Sequence, residues 1–195
     1  KGSIVIQGSD ATHICTVLRL HYGDVIKVFD GKGMSYLVRL EDVKSKLVRG
    51  EVILSEKTDS ESPLKIHLGQ SLIKGKSFDV VLRKSVELGV QTITPLLTDR
   101  TILKGDNEKK ISRWKKIVEE SSKQCGISKI PQLSETVLKF DVYCQQVKDS
   151  SLKLMFWELE KEKGLKDINP IDTPNTVSVL IGPEGGFTIE EVDKA

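Results

Sequence analysis

The chain has 195 residues, 38% hydrophobic and 30% charged, enough apolar material to bury a core without disulfide or metal staples. Thirty Lys and Arg stand against 28 Asp and Glu, so the net charge of +2 neither demands nor excludes a polyanionic partner. Cys15, Cys125 and Cys144 lie far apart with no CxxC pair, which argues against a disulfide scaffold or a bound metal and for a reducing, cytoplasmic compartment. No apolar run approaches the roughly 18 residues of a membrane span, so no membrane partner is expected.

Residues 1–60 read as β structure and balance nine basic side chains against eight acidic ones. His13–Leu20 suits a short helix with Arg19 near its end. Asp24–Phe29 alternates polar and apolar residues, Asp30-Gly-Lys-Gly33 supplies turn chemistry, and Ser35–Leu40 forms the partner strand of a hairpin. A further strand follows at Gly50–Ser55, and short strands at this spacing suggest a small barrel. Thr58–Pro63 is polar and closes on Pro, the best linker in the chain.

Beyond it the period changes. Strands are expected at Leu64–Leu72, Gln91–Leu97, Leu152–Trp157 and Thr176–Ile181. Helices are expected at 77–88, closed by Gly89, and at 108–124, where Ile111, Trp114, Val118 and Ser121 form one stripe. Trp114 there reads as core rather than as a stacking platform for a base. A helix is also expected at 141–148, and one begins at Thr188, whose capping box closes on Glu191. This alternation argues a parallel α/β sheet. Residues 104–129 carry eight basic side chains against four acidic ones, which suits either a solvated helix face or phosphate contact.

The sharpest signal is the run Gly182-Pro-Glu-Gly-Gly186 between an apolar strand and a capped helix. In a parallel sheet this loop lies at the carboxyl end of its strand, where ligands bind. Three glycines let backbone approach a flat ligand closely, although a tight turn would carry the same pattern. The spacing is neither GxGxxG nor a P-loop, so dinucleotides and nucleoside triphosphates are disfavoured.

Leu180–Phe187 resembles the GPEGG element of the RsmE-like SPOUT RNA methyltransferases. Arg83–Val90, Asp99-Arg-Thr101, Ser122–Gly126 and Ile130-Pro131 match that family in order. Val17-Leu-Arg19, Gly23-Asp24 and Phe29-Asp-Gly31 resemble its PUA-like barrel, so the likeness spans nearly the whole chain. The resemblance implies an RNA-binding PUA-like β-barrel over 1–60 and an α/β trefoil-knot domain over 64–195. It implies S-adenosylmethionine as cofactor, a homodimer, and methylation of uridine N3 in 16S ribosomal RNA of the small subunit. Ile181, Gly182, Pro183, Glu184, Gly185 and Gly186 would hold the cofactor through their backbone, with Trp157 and Glu158 as another wall. The family's closing Leu-Gly, Ile-Leu-Arg and Glu-Thr segment does not follow, so the knot is expected to be incomplete within these residues, its last part truncated or disordered. Ile127 stands where the family carries Arg, which removes one expected RNA contact.

Uridine N3 is a weakly acidic imide nitrogen, so the protein must position the base, exclude water and stabilise a developing uridylate. Arg100 and Lys84 are the candidate cations, and Glu87 or Glu184 the candidate proton acceptors. Lys84 and Glu87 would equally make a helix-surface ion pair, and Glu184 would equally pin its own loop. Arg19, Lys84, Arg113 and Lys123 are the candidate RNA contacts. His13, His21 and His67 are scattered without a nucleophile, which disfavours a hydrolytic triad. Methylation of another RNA atom, such as a ribose 2′-oxygen, and non-catalytic RNA binding are the alternative readings.

Overall fold

The computed structural model describes residues 2–57, 62–102, 107–168 and 174–195. The chain divides into two compact units, Lys1–Ser60 with Gly126–Lys129, and Glu61–Cys125 with Ile130–Ala195. Of the expected linker, residues 58–61 lie outside the described residues, as do 104–106 of the basic segment.

The first unit is a four-stranded antiparallel sheet in the order β1-β4-β3-β2, formed by β1 (Ser3–Gln7), β2 (Val25–Phe29), β3 (Met34–Lys44) and β4 (Leu47–Lys57). The expected hairpin is β2–β3. Its turn is fixed by Asp30, whose Oδ1 accepts from the amides of Lys32 (2.7 Å) and Met34 (3.0 Å). β3 and β4 run well past the expected bounds, because bulges after Leu37 and Leu40 reset the alternation that ends a strand on paper. Gly50 makes that pairing possible: a Cβ there would stand 2.5 Å from Val38 Cγ1 and 2.6 Å from the Arg39 carbonyl oxygen. Ala11, Ile14, Val38, Leu40 and Val48 are the buried core, with Ile4, Ile6, Leu20, Ile26 and Val28 packed against it. The expected short helix begins earlier, as α1 (Ser9–Thr12), and continues as a π-helical turn over His13–Val17.

The second unit is a six-stranded, all-parallel sheet of β5 (Lys65–Ser71), β6 (Thr92–Leu97), β7 (Gln132–Leu133), β8 (Leu138–Lys139), β9 (Leu152–Phe156) and β10 (Thr176–Ile181). The order is β7-β6-β5-β10-β9, with β8 also paired to β6. Pro95 sits inside β6, where a missing N–H normally breaks a ladder. Ile93 O accepts from Ser134 N on the outer side and Leu96 O from Leu72 N on the inner side, so Pro95 faces outward. It falls between the residues that pair with β7 and those that pair with β8, where no donor is needed.

Helices α2 (Ser77–Glu87), α3 (Asn107–Cys125), α4 (Phe140–Gln146) and α5 (Ile189–Lys194) complete the unit. Gly89, at φ +77°, follows α2 as expected. The α3 stripe is buried at Ile111, Trp114, Val118 and Ser121. Trp114 packs on Phe78 of α2 with ring centroids 4.3 Å apart, so it is core. No helix among the described residues is long and apolar enough to cross a membrane.

Candidate functional site

β10 lies between β5 and β9, with Ile181 opposite Gln70 on one side and Phe156 on the other. The loop that leaves β10 therefore emerges among the carboxyl ends of β5, β6 and β9. A cluster of Leu96, Phe140, Tyr143, Leu180 and Phe187 supports it from below. Phe187 is only 1% exposed and faces the Phe140 ring at 6.1 Å, which anchors the downstream end of the loop in the core.

The loop is a tight turn closed by Gly186 N on Pro183 O (2.9 Å), with Gly186 at φ +68°. Three long-range bonds hold it. Glu184 Oε1 accepts from the Lys74 amide (2.7 Å), Arg100 Nη1 donates to the Gly185 carbonyl (2.6 Å), and Gln70 Nε2 reaches the Gly182 carbonyl (3.5 Å) as well as Ser71 O (3.0 Å). The three glycines have different neighbours. A Cβ on Gly182 would crowd the Phe187 ring at 3.1 Å, and one on Gly186 would land on the Glu158 carboxylate. One on Gly185 would make ordinary 3.5 Å contact with Arg100. Ile181, Glu184 and Gly185 are exposed, so backbone is presented to a ligand at that edge.

Arg100 lies 4.0 Å from Glu158, and both are about half exposed, so the pair adds little stability but sets a cation beside the loop. Arg100 follows β6 in a segment stiffened by Thr98 and Thr101, whose hydroxyls are 2.8 Å apart. The Lys74 amide is the main reason that the Glu184 carboxyl is held below its ordinary value of 4.5. Oε1 thus pins the loop to the Lys74 amide.

Beside the loop, Tyr143, Cys144, Met155, Trp157, Ser178 and Val192 line a cavity of about 260 Å³. Burial pushes the Cys144 thiol up, with Asp141 adding to it, and drives the Tyr143 hydroxyl up strongly. Neither is poised as a nucleophile.

The structure thus brings Arg100, Glu158, Ile181, Gly182, Pro183, Glu184, Gly185 and Gly186 together. It does not bring Lys84 and Glu87 to them. Those two pair at 2.6 Å in the last turn of α2, and the chain beyond that turn bonds through Gln91 N to Ile66 O at the start of β5. Their end of α2 belongs to the amino edge of the sheet, opposite the glycine loop. Arg113 is also occupied: its Nη1 and Nη2 each donate at 2.8 Å to Asp79, a buried carboxylate on α2. Lys123 is exposed in the last turn of α3, and Arg19 is exposed in the first unit at φ +52°. Sequence reasoning did not single out Gln70, Thr98 or the second role of Glu191. Gln70 had one visible signal, a polar side chain near the end of an expected strand.

A parallel α/β sheet with a bare-backbone loop at a strand's carboxyl end, a cation held against that loop and a separate small β unit defines a ligand-binding domain joined to an accessory module. Residues 60–195 match the family model described as RNA methyltransferase domain, and residues 6–53 match RNA methyltransferase PUA domain. The chain belongs to this RNA methyltransferase family. It is 34% identical over 185 residues to ribosomal RNA small subunit methyltransferase E of Mesomycoplasma hyopneumoniae, covering 94% of this chain and 77% of that protein. The Bacillus subtilis protein of the same name is 26% identical, with 97% and 77% covered. The crystal structure of ribosomal RNA small subunit methyltransferase E from Neisseria gonorrhoeae bound to S-adenosyl methionine superposes with a TM-score of 0.85 at 31% identity, covering 100% of this chain and 79% of that one.

Proposed function

We propose that this protein uses S-adenosylmethionine to methylate N3 of a uridine in 16S ribosomal RNA of the small ribosomal subunit, in the cytoplasm. The observation that carries the reading is the Gly182–Gly186 loop, fixed from three sides yet open at Ile181 and Gly185, with Arg100 against it. The cradle suits a flat adenosyl group at its exposed Ile181 and Gly185 edge, where Gly185 presents bare backbone and a Cβ would meet only Arg100 at 3.5 Å. Ile181, Gly182, Pro183, Glu184, Gly185 and Gly186 would hold the cofactor through backbone groups, with Glu158 as the facing wall.

S-adenosylmethionine supplies an electrophilic methyl group on sulfur. The residues of this chain do the rest. Arg100 stands where a guanidinium can meet the uracil oxygens as N3 loses its proton, stabilising negative charge that is larger in the transition state than in the ground state. Glu184 keeps the loop in register through Lys74 rather than taking the proton. Arg19 in the PUA-like unit over 1–60 and Lys123 in the methyltransferase domain over 64–195 bind RNA phosphates, and Arg113 supports α3 through Asp79. The domain is of SPOUT type and these residues form part of its trefoil knot, the PUA-like unit is a barrel, and the working enzyme is a homodimer.

The test is transfer of labelled methyl from S-adenosylmethionine to the RNA of small subunits by the wild-type protein and by Arg100→Ala. Label in 16S RNA that falls about 100-fold in the variant supports the reading. Wild-type protein that transfers no label, or a variant as active as wild type, overturns it.

A further inference from the structure

Glu191 is 3% exposed and engages both carboxylate oxygens. Oε2 accepts from the Thr188 amide (3.0 Å), the local half of a capping box whose other half is Glu191 N on Thr188 Oγ1 (3.2 Å). Oε1 does something a cap does not require. It accepts from the amide of Asp99 (2.9 Å), a residue 92 positions away in the segment that follows β6. The next residue, Arg100, turns back to the Gly185 carbonyl. The bonds therefore close a ring through Glu191, Asp99, Arg100, Gly185 and Thr188, with the short stretch Gly186-Phe187 as its covalent side. The Thr98–Thr101 bonds stiffen the Arg100 segment from within, and the Thr188 hydroxyl adds a long 3.5 Å contact to the Asp99 carboxylate.

We infer that Glu191 is a positioning residue, which locks the Arg100 segment to the glycine loop so that the cofactor cradle and the cation beside the reacting base form one rigid assembly. This rests on the role proposed for that loop and for Arg100. Two N–H donors converge on one buried side chain, and only a carboxylate offers each an oxygen. A glutamine of the same shape has one oxygen and one NH2, so one of the two N–H groups must face another donor. The bond to Thr188 spans three residues and closes cheaply, whereas the bond to Asp99 joins distant segments and is the one lost.

The test compares Glu191→Gln, which breaks the link to Asp99 and can keep the local cap, with Thr188→Ala. The latter breaks the cap hydroxyl and the long contact but spares the Glu191–Asp99 bond. Glu191→Gln should lower kcat at saturating cofactor and RNA about 10-fold or more, since small displacements of a positioned group cost this much. The cofactor KM should move less than about 3-fold, because the backbone cradle itself remains. Thr188→Ala should keep kcat within about 2-fold even if it melts at a lower temperature. Equal kcat losses in the two variants, or wild-type kcat in Glu191→Gln, would make Glu191 a helix cap and nothing more. Hydrogen exchange decides the point without any activity. The Asp99 amide should lose protection in Glu191→Gln and keep it in Thr188→Ala, and unchanged protection in both overturns the inference. A wild-type protein that transfers no methyl group but shows this exchange pattern would refute the proposed reaction and leave the positioning role standing.

Discussion

Alanine at each glycine of the loop should give three different results, because each glycine is there for a different reason. Gly186 sits at φ +68°, so alanine takes on a left-handed conformation that costs about 1 kcal/mol, and its Cβ displaces the Glu158 carboxylate. Glu158 is half exposed and can swing away, so the total should stay near 1–2 kcal/mol, or about 2–8 °C in melting temperature for a protein of this size. Alanine at Gly182 meets the ring of Phe187 at 3.1 Å and backbone carbon of Gly186 at 3.3 Å, and the buried ring has nowhere to go. Overpacking of this kind costs about 1–3 kcal/mol. Alanine at Gly185 meets only Arg100 at 3.5 Å, so stability should hold within about 0.5 kcal/mol. At Gly185 the cost should appear in the ligand instead. A valine there places methyl groups on the exposed edge of the cradle and should weaken S-adenosylmethionine binding about 100-fold while the helical signal is unchanged. Thermal melts and calorimetric titration of the four variants give the answer. A Gly185→Val protein with wild-type affinity, or a Gly185→Ala protein as unstable as Gly182→Ala, would refute the reasoning.

Arg113→Ala leaves the buried Asp79 carboxylate without its bidentate partner and should cost about 1–3 kcal/mol in urea unfolding; Arg113 is half exposed, so the loss falls short of that for a fully buried pair. Arg19 adopts φ +52° where glycine would sit without strain, and Leu20 N already closes the turn on Ile14 O (3.1 Å). Arg19→Gly should therefore fold within about 1 kcal/mol of wild type, yet reduce the slope of log RNA affinity against log salt by about 0.7–0.9. An unchanged slope would show that Arg19 touches no phosphate. The Glu184 carboxyl is held below 4.5 in the fold, so its bond to Lys74 is fully present above that value and is lost as pH falls through the lowered one. Protection of the Lys74 amide, taken relative to its intrinsic exchange rate at each pH, should fall over that window in wild type, and Glu184→Gln should remove that change in protection.

The strands and helices that carry the second unit were legible because their apolar residues repeat at the right period. β10 was read to the residue, and the capping box at Thr188 marked the helix that follows. β1, β7 and β8 were not legible. β7 and β8 are two residues each, too short for any period, and exist only because β6 offers them an edge. β3 was cut short because the bulge at Glu41, just past Leu40, breaks the alternation that defines a strand in sequence. At the site, the glycine loop and Arg100 were visible as motifs, but their contact was not, since it joins positions 85 apart. The pairing of Arg113 with Asp79 joins positions 34 apart and was hidden for the same reason, which is why Arg113 looked like a free cation. Lys84 and Glu87 show the converse: their spacing announced the ion pair, while only the sheet topology places it at the far edge from the loop.

The most direct test of the proposed reaction is mass spectrometry of the nucleosides released from small-subunit RNA after treatment with this protein and S-adenosylmethionine. Treated RNA should gain one 3-methyluridine that is absent from untreated RNA and from RNA treated with Gly185→Val. A gain of a 2′-O-methylated nucleoside, or of no methylated nucleoside, would contradict the assignment of uridine N3 as the methyl acceptor.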